Sequence, residues 1–251
     1  MSYLTYVLAG LFLPLFPLSM LFNLLYSKIR HPVLRGVLLL TWPQLGLVFV
    51  SLFDLTTSHW VFAWSIFTSL LYAFRAIALR ELGLWTSFIA TSSWALIWIL
   101  LGNNIDTSLL ILFVFGISTP LVLMALLGAG LERRFGAAYL GLYGGLAQSI
   151  PRFAGVLVVV VLAIIATPVF PTFFAMLSII FKTALTTPYI AVGVGLVWLL
   201  WSWAGARLLQ GLIVGPQHAA IADLNQPTLW FYITALSGLL IASVYCAGAM
   251  S

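Results

Sequence analysis

Long apolar runs follow one another along nearly the whole chain, and short polar segments separate them. A helix that crosses a bilayer needs about 20 apolar residues, and about nine of the runs approach that length. The sequence therefore predicts an all-α fold, a polytopic membrane helix bundle of about nine transmembrane helices. The predicted spans are residues 4–26, 36–53, 60–79, 84–102, 107–131, 153–168, 170–187, 189–209 and 228–249.

The scarcity of charge leads to the same conclusion. Charged side chains make up 6% of the 251 residues and hydrophobic ones 63%, whereas an ordinary soluble domain carries about 25% charged residues. This composition excludes a soluble globular protein and a disordered chain, and the single cysteine, Cys246, excludes a disulfide scaffold. No connection between spans is long enough for an aqueous domain, so residues 1–251 are predicted to form one integral membrane domain.

Several chemistries are excluded by the residue types that the chain lacks. The net charge is +5, but the basic residues are scattered at predicted helix ends, so no nucleic-acid binding is expected. His31, His59 and His218 fall in three different connections, so neither a metal site nor another cofactor is expected. Without a phosphate-binding loop or a Ser/His/Asp set, the chain is predicted not to be an enzyme.

The distribution of basic residues leaves the orientation open. The cluster from Lys28 to Arg35 is expected in the cytoplasm. Counting nine spans from there places Arg80 and the Glu132-Arg133-Arg134 connection in the cytoplasm as well, but it places the Arg207 end outside. Either one of the three spans between residues 153 and 209 does not cross the membrane, or charge is a poor guide in this chain.

Two prolines interrupt the apolar sequence between the sixth and seventh spans. Pro168 and Pro171 lie in the segment Thr167-Pro168-Val169-Phe170-Pro171. The segment is either a tight turn between two spans, which is the preferred interpretation, or a break inside one membrane helix. Pro120 lies within the fifth predicted span, where a kink is expected.

Few ionisable side chains fall in or near the predicted spans, and each is a candidate for a proton or ion path. A charge in hydrocarbon costs at least about 2.5–3.5 kcal/mol, so such a residue indicates function unless it reaches the interface. Lys182 has apolar neighbours on both sides and is either an interfacial lysine or a polar site between helices. Arg75 and Arg152 are best explained as interfacial, and Glu132 as part of a solvated helix end.

Several short motifs occur in a fixed order along the later part of the chain. They are Thr91-Ser92-Ser93, Phe115-Gly116-Ile117-Ser118, Leu131-Glu132-Arg133-Arg134, Gly144 to Pro151, Thr167-Pro168, Arg207 to Pro216 and Ala222-Asp223-Leu224-Asn225. This order resembles the later half of the antiporter-like, proton-translocating membrane subunits of respiratory complex I. That family also includes Mrp-type cation/proton antiporters, membrane-bound hydrogenases and the membrane subunit of DAB-type inorganic-carbon uptake complexes.

The resemblance covers roughly residues 70–250 and implies two opening helices in residues 1–56 and an antiporter-like bundle in residues 57–251. The departures from the family pattern fall on titratable positions. Thr86 stands in the region where the family has a lysine, Phe115 replaces the histidine of His-Gly-Leu-Ser, and Met176 replaces the glutamate of Gly-Glu-Phe. The resemblance therefore implies a shortened, degenerate member without a complete proton path, in which Lys182 is the one obvious substitute.

Two functions follow from these features. The preferred one is an auxiliary membrane subunit of a proton-coupled complex in a bacterial inner membrane, which supports inorganic-carbon uptake or a complex I-like assembly. Its expected partners are the lipid bilayer, other integral membrane subunits including a full-length antiporter-like subunit, and a peripheral zinc-containing subunit similar to carbonic anhydrase. The alternative is a self-sufficient small transporter that conducts protons or anions with Lys182 and the Pro168/Pro171 break.

Overall fold

A computed structural model describes residues 3–53, 55, 57–103, 105–142, 144–216 and 222–250. Most of this part of the chain is helical, as predicted, and its β pairing consists of one isolated bridge between Glu81 and Tyr139. The helices are α1 (Tyr3–Phe12), α2 (Ser19–Lys28), α3 (Pro32–Leu52), α4 (His59–Ala78), α5 (Leu82–Ala95), α6 (Ile97–Gly102), α7 (Thr107–Phe135), α8 (Leu146–Ser149), α9 (Pro151–Ile164), α10 (Pro171–Thr183), α11 (Pro188–Ile213) and α12 (Gln226–Met250).

The membrane bundle that the apolar runs predict is confirmed. Six helical segments are long and apolar enough to cross a membrane, namely α3, α4, α5 with α6, α7, α11 and α12. The shorter apolar helices α9 and α10 and the pair α1 and α2 occupy the remaining predicted spans. The segment formed by α5 and α6 lies at the centre, with 83% of its span buried, whereas α12 is only 28% buried.

The ends of α7 mark the two faces of the bundle. We call the end that holds the last turn of α7 the basic face, and the end that holds its first turn the opposite face. α9 begins at the basic face, where the Phe153 ring lies beside Gly130 of α7. α10 ends at the opposite face, where Lys182 Nζ donates a hydrogen bond of 3.1 Å to the Asn103 carbonyl. Together, α9 and α10 therefore cross the membrane once.

The preferred interpretation of the segment with Pro168 and Pro171 as a tight turn between two spans is thus wrong. The segment is a helix break inside the membrane. Pro171 begins α10 against Gly116, which lies in the middle part of α7. The break is stable because neighbouring helices satisfy the carbonyls that it frees. Accordingly, Trp198 Nε1 donates to the Ile165 carbonyl at 3.1 Å, and Ser243 Oγ donates to the Val169 carbonyl at 2.7 Å.

The first predicted span, residues 4–26, is also broken and consists of two helices, α1 and α2. α1 ends at Phe12 and α2 begins at Ser19, because Pro14 and Pro17 between them lack an N–H and cannot continue the hydrogen-bond ladder. Three tryptophan indoles donate to the carbonyls of this break. The pairs are Trp42 to Leu11 at 3.1 Å, Trp98 to Leu13 at 2.9 Å and Trp64 to Phe16 at 2.6 Å.

Trp98→Phe tests whether these indoles stabilise the break. The substitution leaves the Leu13 carbonyl without its donor at a site where Trp98 is 1% exposed, so we expect a loss of about 1–3 kcal/mol in the free energy of unfolding. The measurement is denaturant unfolding of the purified protein in detergent. Trp203→Phe is the matched control because Trp203 is 60% exposed on α11. Equal losses in the two variants would show that the indole bond contributes nothing.

One crossing by α9 and α10 removes the conflict over orientation. The described helices then make eight crossings, and the Arg207 end of α11 lies at the basic face, where the Gly211 carbonyl meets the α7–α8 connection. Of the ten lysines and arginines, Lys182 alone lies at the opposite face. The basic face holds the other nine, Lys28, Arg30, Arg35, Arg75, Arg80, Arg133, Arg134, Arg152 and Arg207. The positive-inside rule therefore predicts that the basic face is cytoplasmic.

Cysteine labelling tests this orientation. With the buried Cys246 replaced by alanine, Lys182→Cys should react with a membrane-impermeant maleimide in intact cells. Arg207→Cys should react after permeabilisation only, because both side chains are exposed but lie at different faces. Labelling of Arg207→Cys in intact cells, with Lys182→Cys protected until permeabilisation, would contradict this orientation.

The glycine-rich connection after α7 packs closely against the end of α11. A Cβ at Gly144 would lie 2.6 Å from the Val214 carbonyl oxygen, and Gly145 adopts a left-handed φ of 77° against the backbone of Pro216. The same connection pairs with the α4–α5 link, where the Leu140 N–H donates to the Arg80 carbonyl at 2.7 Å. These contacts hold the loops of the basic face together.

Candidate functional site

Neutral polar side chains form a network in the interior of the bundle. Ser69 of α4 and Ser92 of α5 join their hydroxyls at 3.0 Å, and the indole of Trp201 on α11 donates to Ser92 Oγ at 2.8 Å. All three residues are buried. The Thr91-Ser92-Ser93 motif therefore links three membrane helices, as hydroxyls between packed helices commonly do.

A second group of buried polar side chains connects α2 to the same motif. Asn23 Nδ2 donates to Thr91 Oγ1 at 3.1 Å, and one turn earlier Ser19 Oγ donates to the Tyr72 hydroxyl at 2.9 Å. These groups are neutral amides and hydroxyls. Within the described residues, no Asp, Glu, His, Lys or Arg lies between the two faces. A proton relay needs protonatable groups or water at short intervals, and the network supplies no such groups.

An ion pair stands at the basic end of this network. Arg35 Nη1 of α3 lies 3.7 Å from Glu132 Oε1 of α7, and the Arg35 guanidinium lies over the Tyr26 ring at 5.3 Å. Arg35 Nε also donates to the Ile29 carbonyl at 2.6 Å. The Arg35 side chain is 10% exposed and that of Glu132 is 41% exposed. Arg35 is thus a buried cation whose carboxylate partner faces the aqueous side.

A small void, too narrow to hold a water molecule, lies between this ion pair and Thr86. The Tyr26 hydroxyl borders it and is buried without a hydrogen-bond partner in the described part of the chain. Thr86 is fully buried, and its hydroxyl donates to the Leu82 carbonyl at 2.8 Å. Thr86 therefore lies near Arg35 of α3, and it carries a neutral group whose hydrogen atom is already used.

A second polar cluster at the basic face joins two of the sequence motifs. Asp223 Oδ2 accepts from the Arg152 backbone N–H at 2.8 Å, and its Oδ1 accepts from the Phe153 N–H at 3.0 Å. The carboxylate thereby caps the N-terminus of α9, where the helix dipole favours negative charge. Arg134 of α7 donates through Nε to the Ala222 carbonyl at 3.0 Å. The Glu132-Arg133-Arg134 motif and the Ala222–Asn225 motif are thus neighbours in space.

The four candidates for a proton or ion path do not form one site. Lys182 is exposed at the opposite face, whereas the other three lie at the basic face. Arg75 is exposed and lies over the Phe88 ring at 5.3 Å. Arg152 lies in the first turn of α9, and Glu132 pairs with Arg35 of a different helix.

The three neutral positions also lie apart. Thr86 and Met176 are buried, at 0% and 2% exposure, but Phe115 is 44% exposed on the outer surface of α7. Phe115 therefore does not face the interior polar network. His218, which the sequence places in a connection, lies outside the described residues. Among the residues that are described, no group of three or more His, Cys, Asp or Glu side chains is placed to hold a metal ion.

Sequence reasoning missed the residues that organise the site. Arg35 was assigned to a charged connection, and Asp223 only to a motif, although one binds Glu132 and the other caps α9. Their partners lie 97 and 71 residues away along the chain. The sequence offered one signal, the place of Asp223 in the ordered series of motifs. That signal does not identify what the Asp223 carboxylate contacts.

Solved structures show where this fold occurs. The chain is similar to a chain of respiratory complex I from Thermus thermophilus with bound NADH, at a TM-score of 0.80 and 18% identity over 94% of this chain and 53% of that one. It is also similar to a chain of the membrane-bound sulfane sulfur reductase, an archaeal respiratory membrane complex, at a TM-score of 0.81 and 14% identity over 96% and 51%.

A third similar structure is the Mrp complex from Dietzia sp., with a TM-score of 0.74 and 17% identity over 84% of this chain and 41% of that one. The chain thus spans about half the length of the chains that it resembles. No family model and no curated protein sequence matches it. At this level of identity the likeness establishes the fold, that of membrane subunits in complex I-like assemblies.

Proposed function

We propose that the chain is an auxiliary, antiporter-like membrane subunit of a proton-coupled multi-subunit complex, and that it has no complete proton path of its own. The neutral interior carries this proposal. The described helices keep the fold of the membrane subunits in respiratory and Mrp complexes, but the groups between the two faces are hydroxyls, amides and indoles. Arg35 and Glu132 form an ionisable pair at one end, and nothing ionisable continues it through the described interior.

The exposed surface of the bundle supports a role beside other membrane subunits. Only 33% of α3 and 28% of α12 are buried, so both helices offer wide apolar faces to lipid or to neighbouring helices. The chain also covers about half of each similar chain. A full-length antiporter-like subunit is therefore the first partner that we expect.

Affinity purification from detergent-solubilised native membranes tests the subunit assignment. We expect the chain to co-purify with at least one larger antiporter-like membrane protein. For the host complex we propose inorganic-carbon uptake, and a co-purified zinc protein similar to carbonic anhydrase would support it. Quinone-reductase or hydrogenase subunits would instead identify a respiratory host. A chain that purifies alone after mild solubilisation would contradict the subunit assignment.

The self-sufficient transporter requires Lys182 to act at the helix break. Lys182 follows Pro171 by 11 residues, about 16 Å along α10 at the helical rise of 1.5 Å per residue. Its ammonium group donates to the Asn103 carbonyl at the rim of the bundle. This placement supports an interfacial lysine, and no observed contact links it to Pro168 or to the interior network.

A further inference from the structure

We propose that the cavity between α7, α9 and α12 at the basic face binds the phosphate-bearing headgroup of an anionic phospholipid. The cavity has a volume of about 430 Å³. The polar residues that line it are Arg133, Arg134, Asp223, Asn225, Thr228 and Tyr232. The proposal is independent of any proton transport by the chain.

The two arginines bring positive charge that the described protein does not neutralise. Arg134 donates through Nη1 to the Gly130 carbonyl at 3.1 Å and through Nη2 to the Asp223 carbonyl at 3.4 Å, in addition to its bond to Ala222. Arg133 Nε donates to the Ala129 carbonyl at 3.3 Å. Carbonyl oxygens orient a guanidinium but leave its charge unpaired. Among the described residues, the one ion pair within 4.0 Å is that of Arg35 and Glu132.

The nearby carboxylate does not supply the missing anion. Both oxygens of Asp223 accept backbone N–H groups, from Arg152, Phe153 and Leu224, at 2.7–3.0 Å. The carboxylate is therefore turned toward the N-terminus of α9. An additional anion can approach Arg133 and Arg134 from the cavity without displacing it.

Tyr232 presents a hydroxyl group to the same cavity. Its side chain lines the cavity from α12 and is 4% exposed. A phosphate oxygen in the cavity would accept from this hydroxyl and from the Arg133 guanidinium, and charge-assisted bonds of this kind are the strong ones.

The surroundings favour a lipid over a free phosphate ion. The cavity lies where two membrane helices reach the interface, and Leu126 and Phe153 give it apolar walls. The basic face is the predicted cytoplasmic side, whose leaflet carries anionic lipids. A headgroup in the cavity would leave its acyl chains beside the exposed surface of α12.

Lipid binding to the purified full chain in detergent tests the proposal, with native mass spectrometry as the readout. The ligands are phosphatidylglycerol, phosphatidylcholine and inorganic phosphate, and the variants are Arg133→Gln, Tyr232→Phe and Arg75→Gln. We expect phosphatidylglycerol to bind more tightly than phosphatidylcholine. Its affinity should fall about tenfold in Arg133→Gln, and by a smaller factor in Tyr232→Phe. Arg75→Gln is the matched control because Arg75 is an exposed arginine of the same face that does not line the cavity.

Two results would overturn the proposal. Equal phosphatidylglycerol binding by the parent and all variants would place the lipid elsewhere. Displacement of phosphatidylglycerol by millimolar inorganic phosphate, with the same dependence on Arg133 and Tyr232, would assign the cavity to a free anion. Thermal unfolding of each variant without lipid provides the folding control. A variant that unfolds at the parent temperature but loses phosphatidylglycerol supports the headgroup site.

Discussion

Gly116→Leu is expected to lower the free energy of unfolding by more than about 3 kcal/mol, because it forces α7 away from the helix break between α9 and α10. A Cβ atom at position 116 would lie 2.5 Å from Pro171 Cβ and 3.1 Å from its Cγ. Pro171 cannot rotate out of the way, since its ring is part of the backbone at the first position of α10. The clash therefore has to be relieved by moving a helix.

Gly155→Leu provides the matched control for this variant. Gly155 is also a helical glycine, on α9, but a Cβ there would meet nothing within 4 Å. Unfolding of both variants in detergent, followed by circular dichroism, should show a large loss of stability for Gly116→Leu and little change for Gly155→Leu. If Gly116→Leu unfolds like the parent, α7 does not pack against Pro171.

Asp223→Ala is expected to lower the free energy of unfolding by about 2–4 kcal/mol, since one carboxylate accepts three backbone N–H groups. The substitution leaves the first N–H groups of α9 without an acceptor at a partly buried site. It also frees the loop between α11 and α12, whose carbonyls bind Arg134. The measurement is the free energy of unfolding, together with protease sensitivity of that loop.

Two further substitutions separate the charge of the cap from its geometry. Asp223→Asn keeps one acceptor oxygen and should show an intermediate loss of stability. Asp106→Ala is the control for a local cap, because Asp106 accepts from Ser108 and Leu109 of its own helix, α7, and is exposed. The Ser108 hydroxyl and the Leu109 N–H hold the pKa of Asp106 below its usual value, so this cap is lost only as the pH falls toward that lower pKa. Equal losses of stability in Asp106→Ala and Asp223→Ala would show that the contact of Asp223 with the distant helix α9 adds nothing beyond a local cap.

The positions of the membrane helices could be predicted because the bilayer imposes a length and an apolar composition on every span. The two helix breaks could not be predicted. In each, prolines interrupt a run that stays apolar, and whether the chain turns back or continues depends on which groups satisfy the freed carbonyls. For Leu13 the donor is Trp98, 85 residues later, and for Ile165 it is Trp198, 33 residues later. Local sequence does not reveal such pairs.

The candidate site shows the same limit. Lys182 was singled out because its neighbours are apolar, but its long side chain reaches the rim, where it meets the Asn103 carbonyl. Arg35 was not singled out because it lies in a charged stretch, but folding buries it between α2 and α7. Burial of a charge depends on which helices surround it. Hydropathy locates the helices along the chain but does not show which of them pack together.

The most direct test of the account is proton flux through the chain alone. Purified protein would be reconstituted into liposomes that contain a pH-sensitive dye, and an imposed pH gradient with a membrane potential would drive protons inward. We expect the rate to equal that of empty liposomes, because the described interior offers only neutral groups between Arg35 at one face and Lys182 at the other. Flux well above that rate, abolished by Lys182→Ala, would contradict the account.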